Sequence, residues 1–221
     1  MTKTFVYLFG VCVLVFCQYS SIAQKSGFGA FYQYGATFNL DQTNQHPWKP
    51  QDGSSAGVYY QLDNGVKALG FRACLSARWN DIKWDVTDQI YVLHKNRSVE
   101  LKLQCTLRTN PKNMFGLGMA PRIVTHSGFA LGAKSVASGT TYEYNRELSG
   151  IDAKLNELNS ALCLSWYHDF NKIVTIGVHA DGDMLPFFEE NVAIPLDASG
   201  SFHPVNVRLT SLALALILNV R

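Results

Sequence analysis

At 221 residues the chain is long enough for one domain or one barrel. A net charge of +2 and a pI near 8.2 are too mild to suit a nucleic-acid partner. Hydrophobic residues make up 47% and charged ones 16%, yet mean hydropathy is only −0.01, so apolar residues must be interleaved with polar ones.

The one long apolar run comes first. Lys3 precedes Phe5 to Cys17, and Ser21-Ile22-Ala23 supplies the small residues that a signal peptidase reads. This predicts a cleaved secretory signal over 1–23 and one barrel domain over 24–221, with Gln24 first in the mature chain. Phe16 is too large for the residue before a lipid-bearing cysteine, so Cys17 is not read as a lipid anchor. A spanning helix needs roughly 20 apolar residues, and no later run, Leu212 to Leu218 included, reaches that length. A mature chain in a membrane would therefore cross as strands. Cys74, Cys105 and Cys163 remain after cleavage. Their odd number predicts buried small apolar residues and no disulfide framework.

Period-2 alternation then predicts eight strands, near 27–40, 55–63, 66–80, 97–109, 114–125, 160–170, 172–184 and 204–220. The first sets Phe28, Ala30, Tyr32, Tyr34, Ala36 and Phe38 against Gly29, Gln33, Gly35 and Thr37. In the fourth, Val99, Leu101, Leu103, Cys105 and Leu107 oppose Glu100, Lys102, Gln104, Thr106 and Arg108. The fifth continues with Phe115, Leu117, Met119, Pro121 and Ile123.

The connections alternate in length. Asp63-Asn64-Gly65, Asn110-Pro111-Lys112-Asn113 and Asp169-Phe170-Asn171 are tight turns. Between them lie polar stretches at 41–54, 81–96, 126–159 and 185–203. In an up-and-down barrel every second connection shares an end, so the tight turns line one rim and the long loops the other. The predicted fold is all-β: a closed, eight-stranded, antiparallel, up-and-down transmembrane β-barrel behind a cleaved N-terminal signal peptide.

Alternation alone also fits a secreted, soluble, lipocalin-like barrel with apolar residues inside. Strand length, aromatics near the row ends (Phe28, Phe38, Trp79, Phe115, Trp166) and the composition of the second row favour lipid outside. That second row mixes small residues with Arg72, Arg78, Glu100, Lys102, Arg108 and Arg122, which predicts a lumen charge network plugging a narrow interior. Arg208 falls on the outward phase set by Leu212 to Leu218, where it would snorkel at the rim or mark a bulge.

The stretch Ser98 to Ile123 resembles the PorT-like outer-membrane β-barrel family of Bacteroidota, the small outer membrane protein beta-barrel domain. Val99-Glu100-Leu101 and Gly116-Leu117-Gly118-Met119-Ala120-Pro121 carry the likeness. The resemblance implies an outer-membrane location and, for some members, roles in protein secretion.

Three local features suggest chemistry. His179, Asp181 and Asp183 share one strand face near a loop, a weak candidate for a divalent ion against the plainer reading of polar residues at a strand end. His126-Ser127 is similar to the His and Ser of lipid-A deacylases, eight-stranded barrel enzymes. Those enzymes keep the pair on one face, whereas adjacent strand residues point opposite ways. Ser149-Gly150-Ile151-Asp152 before Leu155 and Leu158 predicts a short helix start. His46-Pro47-Trp48-Lys49-Pro50 stiffens another loop.

The expected function is a structural or accessory outer-membrane component, with a place in secretion or envelope assembly as the role the resemblance suggests. It is not expected to be an enzyme or to need a cofactor. Its partners are membrane lipid and proteins met through 41–54, 81–96, 126–159 and 185–203, with tight turns and both termini periplasmic and the long loops external. A lipocalin-like carrier of an apolar ligand and a lipid-A-modifying barrel enzyme are the alternatives.

Overall fold

The computed structural model describes residues 25–39, 49–63, 68–87, 89–137, 140–147, 158–186, 188, 192–195 and 202–220. The expected signal at 1–23, the Asn64-Gly65 turn, His46-Pro47-Trp48 and the helix start at 149–152 lie outside them.

Eight antiparallel strands close on themselves: β1 (Lys25–Asn39), β2 (Gln51–Asp63), β3 (Leu69–Asp85), β4 (Ile90–Arg108), β5 (Asn113–Ala137), β7 (Leu158–Asp169), β8 (Val174–Asp183) and β11 (Leu209–Val220). Each pairs with its neighbours in sequence, β11 returns to β1, and β4 pairs with β5, so no barrel strand is left as an edge. Outside the ring, β6 (Thr140–Glu147) pairs with the far half of β5, and β9 (Val192–Pro195) pairs with β10 (Phe202–Val205).

The stagger follows from the register. Passing partner to partner from Phe28 through Tyr60, Ala73, Leu103, Met119, Leu162, Gly182 and Thr210 returns to β1 at Phe38, ten residues from the start. At about 3.3 Å per residue and 4.8 Å between strands, that shift tilts the strands by roughly 40° and gives a wall radius of about 8 Å. Such a tube is just wide enough for side chains to fill. Gly118 sits where this curvature brings strands close: a Cβ there would run into the Leu103 carbonyl.

Several boundaries differ from expectation. The stretches 81–96 and 126–159 are not simply loops: β3 and β4 continue as a paired hairpin to Asp85 and Ile90, and β5 runs on to Ala137. Of 41–54, residues 51–54 belong to β2, and 185–203 contains β9 and the start of β10. Leu158 opens β7 and is not part of a helix. The reason is an exchange of faces. Along β3 the outward residues pass from Ala73, Leu75 and Ala77 to Asp81 and Lys83. The inward ones pass from Arg72 and Arg78 to Ile82 and Trp84, both buried. Alternation continues with its sign reversed, and so reads as a polar loop.

On β5 the exchange coincides with a bulge. Ser98 faces Val124 but Arg97 faces His126, leaving Thr125 extra, and its hydroxyl donates to the Arg97 carbonyl at 3.0 Å. Cys74 and Cys163 are buried as free thiols, but Cys105 is exposed on the outer wall, contrary to expectation. Arg208 lies just before the start of β11, part-buried, its backbone N–H donating to the Asn39 side chain at 2.9 Å.

Candidate functional site: a charged lumen under an apolar cap

From the tight-turn rim inward, the floor is an ion-pair fork. Arg108 reaches Asp169 at 3.1 Å and Asp63 at 3.4 Å, each about one-third exposed. Arg108, expected in the lumen network, therefore sits at the mouth, apart from the others. Above it Arg72 lies between the rings of Tyr59 and Tyr167, 4.5 and 4.0 Å from their centroids, and donates to Gln61 at 2.7 Å. Arg72 also stands apart from the central cluster, held by π-faces and an amide. Tyr167 donates to Gln104 and Gln104 to Ser165, at 2.7 and 2.6 Å.

The centre holds three carboxylates and three cations. Arg78 contacts Asp181 at 2.6 Å and Glu100 at 3.2 Å, and Lys102 contacts the same two acids at 3.3 and 3.5 Å. Arg122 donates to Glu100 at 2.6 Å and pairs with Asp183. All six are buried. Alternate positions on β3, β4, β5 and β8 aim them inward, while the facing wall of β1, β2 and β11 supplies small residues such as Gly35, Gly53, Ser55 and Ser211 that make room. A cavity of about 10 Å³ bordered by Gln33, Arg78, Asp181 and Ser211 leaves space for about one water.

His179, Asp181 and Asp183 do share the inward face, but the carboxylates meet cations and not the imidazole. His179 Nδ1 lies 3.2 Å from Gln33 Nε2 and 3.3 Å from Ser165 Oγ. Among the described residues no group of three His, Cys, Asp or Glu side chains is placed to hold a metal ion. The two aspartates are the counter-ions that sequence reasoning left unassigned. Five cations on the inward rows (Arg72, Arg78, Lys102, Arg108 and Arg122) against Glu100 alone were the available signal that more acids were needed.

Over this cluster sits an apolar cap of Ile82, Trp84, Val92, Phe129, Phe188, Val207 and Leu209. His94 and Phe129 meet at a tilt with ring centroids 4.9 Å apart, and Phe129 and Phe188 stack at 5.5 Å. The Asn206 amide brackets the Phe188 backbone, donating to its carbonyl at 3.3 Å and accepting its N–H at 3.4 Å. His126 and Ser127 point to opposite sides of the wall. His126 is exposed, and Ser127 Oγ lies 2.8 Å from His94 Nε2 inside.

The outer wall carries the apolar rows. Leu117 and Leu214 are 64% and 70% exposed, while Lys102 and Arg122 on the inward rows are 2% exposed. An apolar groove of about 580 Å³ lies on this outer side, bordered by Phe28, Ala30, Val58, Tyr60, Ala73 and Leu75.

No protein-family model matches the chain, and no curated protein matches it. Among solved structures it is similar to Ail, the attachment invasion locus protein of Yersinia pestis, at a TM-score of 0.44 and 8% identity, over 88% of this chain and 97% of that one. The outer membrane protein OprG from Pseudomonas aeruginosa gives 0.42 and 8%, over 88% and 92%. Neisserial surface protein A gives 0.36 and 8%, over 87% and 96%. At these scores the likeness is one of general layout, and the closed eight-stranded antiparallel barrel stands on its own strand register.

Proposed function

We propose that the chain is an integral outer-membrane β-barrel with a plugged lumen, a structural or accessory component of the envelope. The observation that carries this reading is the exchange of faces at one level of the wall. Below Trp79, Arg97 and His126 the outward rows are apolar and the inward rows hold six buried charges beside a cluster that includes Phe31, Tyr59, Met114, Tyr167 and Ile217; above them Asp81, Lys83, Lys95 and Arg97 face out from β3 and β4 while Ile82, Trp84, Val92 and Phe129 face in. A single solvent would not select two opposite patterns in one continuous strand. Hydrocarbon around the lower part and water around the upper part would.

The dimensions agree. The outward row from Phe115 to Ile123 spans eight residue steps on a strand tilted by roughly 40°, about 20 Å between Cα levels. With its side chains it matches an apolar band of about 25 Å. A charge on that face would cost about 2–4 kcal/mol at mid-membrane, and the lower outward rows avoid it. A soluble carrier of apolar ligands needs the reverse, an apolar cavity inside. Here the interior is filled by ion pairs and, nearer the tight-turn rim, by packed side chains that include Phe31, Tyr59, Met114, Tyr167 and Ile217, and the apolar groove is outside.

We infer a non-enzymatic role, supported by the opposed directions of His126 and Ser127. Tight turns and both ends of the barrel share one rim, which we place on the periplasmic side. The extended β3–β4 hairpin and β5–β6 face outward, available to protein partners. The resemblance of 98–124 to PorT-like barrels favours a part in secretion or envelope assembly.

The test is fractionation of cells making the full chain. Expected are retention in the outer-membrane fraction until detergent is added, and a change of gel mobility on boiling. Release into buffer without detergent would overturn the reading. Labelling of a cysteine placed at Lys95 from outside intact cells should succeed, and labelling at Lys112 should fail; the reverse would invert the orientation.

A further inference from the structure

The apolar cap encloses a titratable ring. His94 lies three residues above Arg97 on β4, beyond the apolar band, and is 0% exposed. Ile82 on β3 and Phe129 on β5 stand opposite it in the two ladders. The Phe129 ring meets the imidazole at 4.9 Å, and the Phe188 ring meets it edge-on at 5.8 Å. Its Nε2 lies 2.8 Å from the Ser127 hydroxyl, a partner that carries no counter-charge. Such a cage suits the neutral ring and penalises the imidazolium.

Part of the cage does not come from the barrel wall. Ile82, Trp84, Val92 and Phe129 belong to paired strands, but Phe188 and Val207 belong to the connection between β8 and β11. Asn206 clasps the Phe188 backbone through its amide, and the Asn39 side chain of β1 holds the Asn206 carbonyl and the Arg208 N–H at 3.3 and 2.9 Å. Water can replace these bonds when the connection lifts, and the β3–β4 and β4–β5 ladders stay paired. Burial pushes the His94 imidazole down to about 3, and His126 and Arg97 add to the effect. Asp81 and Lys83 flank Ile82 on the outer side of β3, and below the cap Arg122 and Asp183 pair with each other. Glu189 and Glu190 follow Phe188 in sequence, and His203 lies on β10.

We propose that the connection bearing Phe188 is an acid-released lid, closed while His94 is neutral and lifted when His94 takes a proton. With the lid away the ring meets water and titrates near its ordinary value of about 6.5. The closed form accepts the same proton only near pH 3. Opening therefore takes up a proton, and the closed form loses ground as pH falls below about 6.5. From there down to about pH 3, each further unit raises the open-to-closed ratio by up to about tenfold. Opening bares Ile82, Trp84, Val92 and Phe129 at the long-loop mouth and leaves the ion pairs beneath in place.

The test is amide exchange of the full chain in detergent micelles, read at Phe188 and Arg208 and expressed relative to the free-chain rate at each pH. Protection at both should fall about fiftyfold from pH 6.5 to 4.5, while Leu101 and Leu164 in the band stay protected. His94→Gln, which keeps a partner for Ser127, should flatten that slope, and so should His94→Phe, which keeps the cage apolar. Val207→Ala should lower protection at every pH and retain the slope, and His126→Gln and His203→Gln should retain it too. Protection that ignores pH in the unaltered chain, or a slope that survives both His94 variants, overturns the proposal. So does a slope abolished by His126→Gln or His203→Gln, or equal loss at Leu101 and Leu164, which is acid unfolding of the whole barrel. The lid stands beyond the band, so a chain that proved soluble would be measured in plain buffer, and failure of the membrane reading leaves this test standing.

Discussion

The lower and upper parts of the wall are built from the same strands with opposite instructions. In the band, leucines, valines and aromatics face out and Arg78, Glu100, Lys102, Arg122, Asp181 and Asp183 face in. Above it, Asp81, Lys83, Lys95 and Arg97 face out and Ile82, Trp84, Val92 and Phe129 face in. The upper part obeys the ordinary rule for a protein in water. The lower part inverts it, and can do so only because six charges meet one another across a tube about 8 Å in radius. A backbone pleat is indifferent to which face is greasy. The medium chooses.

That contrast is open to attack one residue at a time. The largest effect should come from Glu100→Ala, which leaves Arg78, Lys102 and Arg122 short of a buried counter-charge. A loss of about 3–5 kcal/mol is expected, measured by urea unfolding from lipid vesicles; a loss below 1 kcal/mol would mean that the lower lumen is wet. Phe129→Ala should cost about 3 kcal/mol through the hole it leaves in the cap. Its signature should be local: protease cutting within 81–97 and 126–137 while the band strands stay protected. Damage spread evenly over all strands would erase the distinction between the two regions.

Leu216→Arg, at the middle of the outward row of β11, should cost about 2–4 kcal/mol in a bilayer and less in a detergent micelle that adapts to it. Smallest of all, Lys83→Leu on the outward rim should change unfolding free energy by no more than about 0.5 kcal/mol. If Lys83→Leu proved as harmful as Leu216→Arg, the level of the membrane edge would be wrong.

Alternation made the rows legible. Leu101 and Leu103 out with Lys102 in, and the inward aim of Arg72, Arg78 and Arg122, follow from a period of two and needed no coordinates. The tight turns, expected at 110–113 and 169–171 and found at 109–112 and 170–173, were equally plain, since Asn and Pro punctuate them. Three things were hidden. The β3–β4 hairpin above Asn80 was masked by the reversal of faces, because a search for greasy residues on one row finds charges there. The slip at Thr125 was invisible because one extra residue leaves the composition unchanged while turning every later side chain over. His126 and Ser127 thus fall on faces that strict counting from Ile123 would exchange. Asp181 and Asp183 read as polar residues at a strand end or, more weakly, as metal ligands, since a strand face shows which side chains point together but not what stands across the lumen.

The chain's own order of residues determined that its strands have two chemically opposed faces, because side-chain direction is local and repeats every second residue. Which arginine meets which carboxylate was decided only by closure of the barrel. Arg122 reaches Asp183, 61 positions away, because a ten-residue stagger around eight strands brings β5 and β8 to the same height. Such a stagger is a sum over the whole ring, and no stretch of sequence contains it.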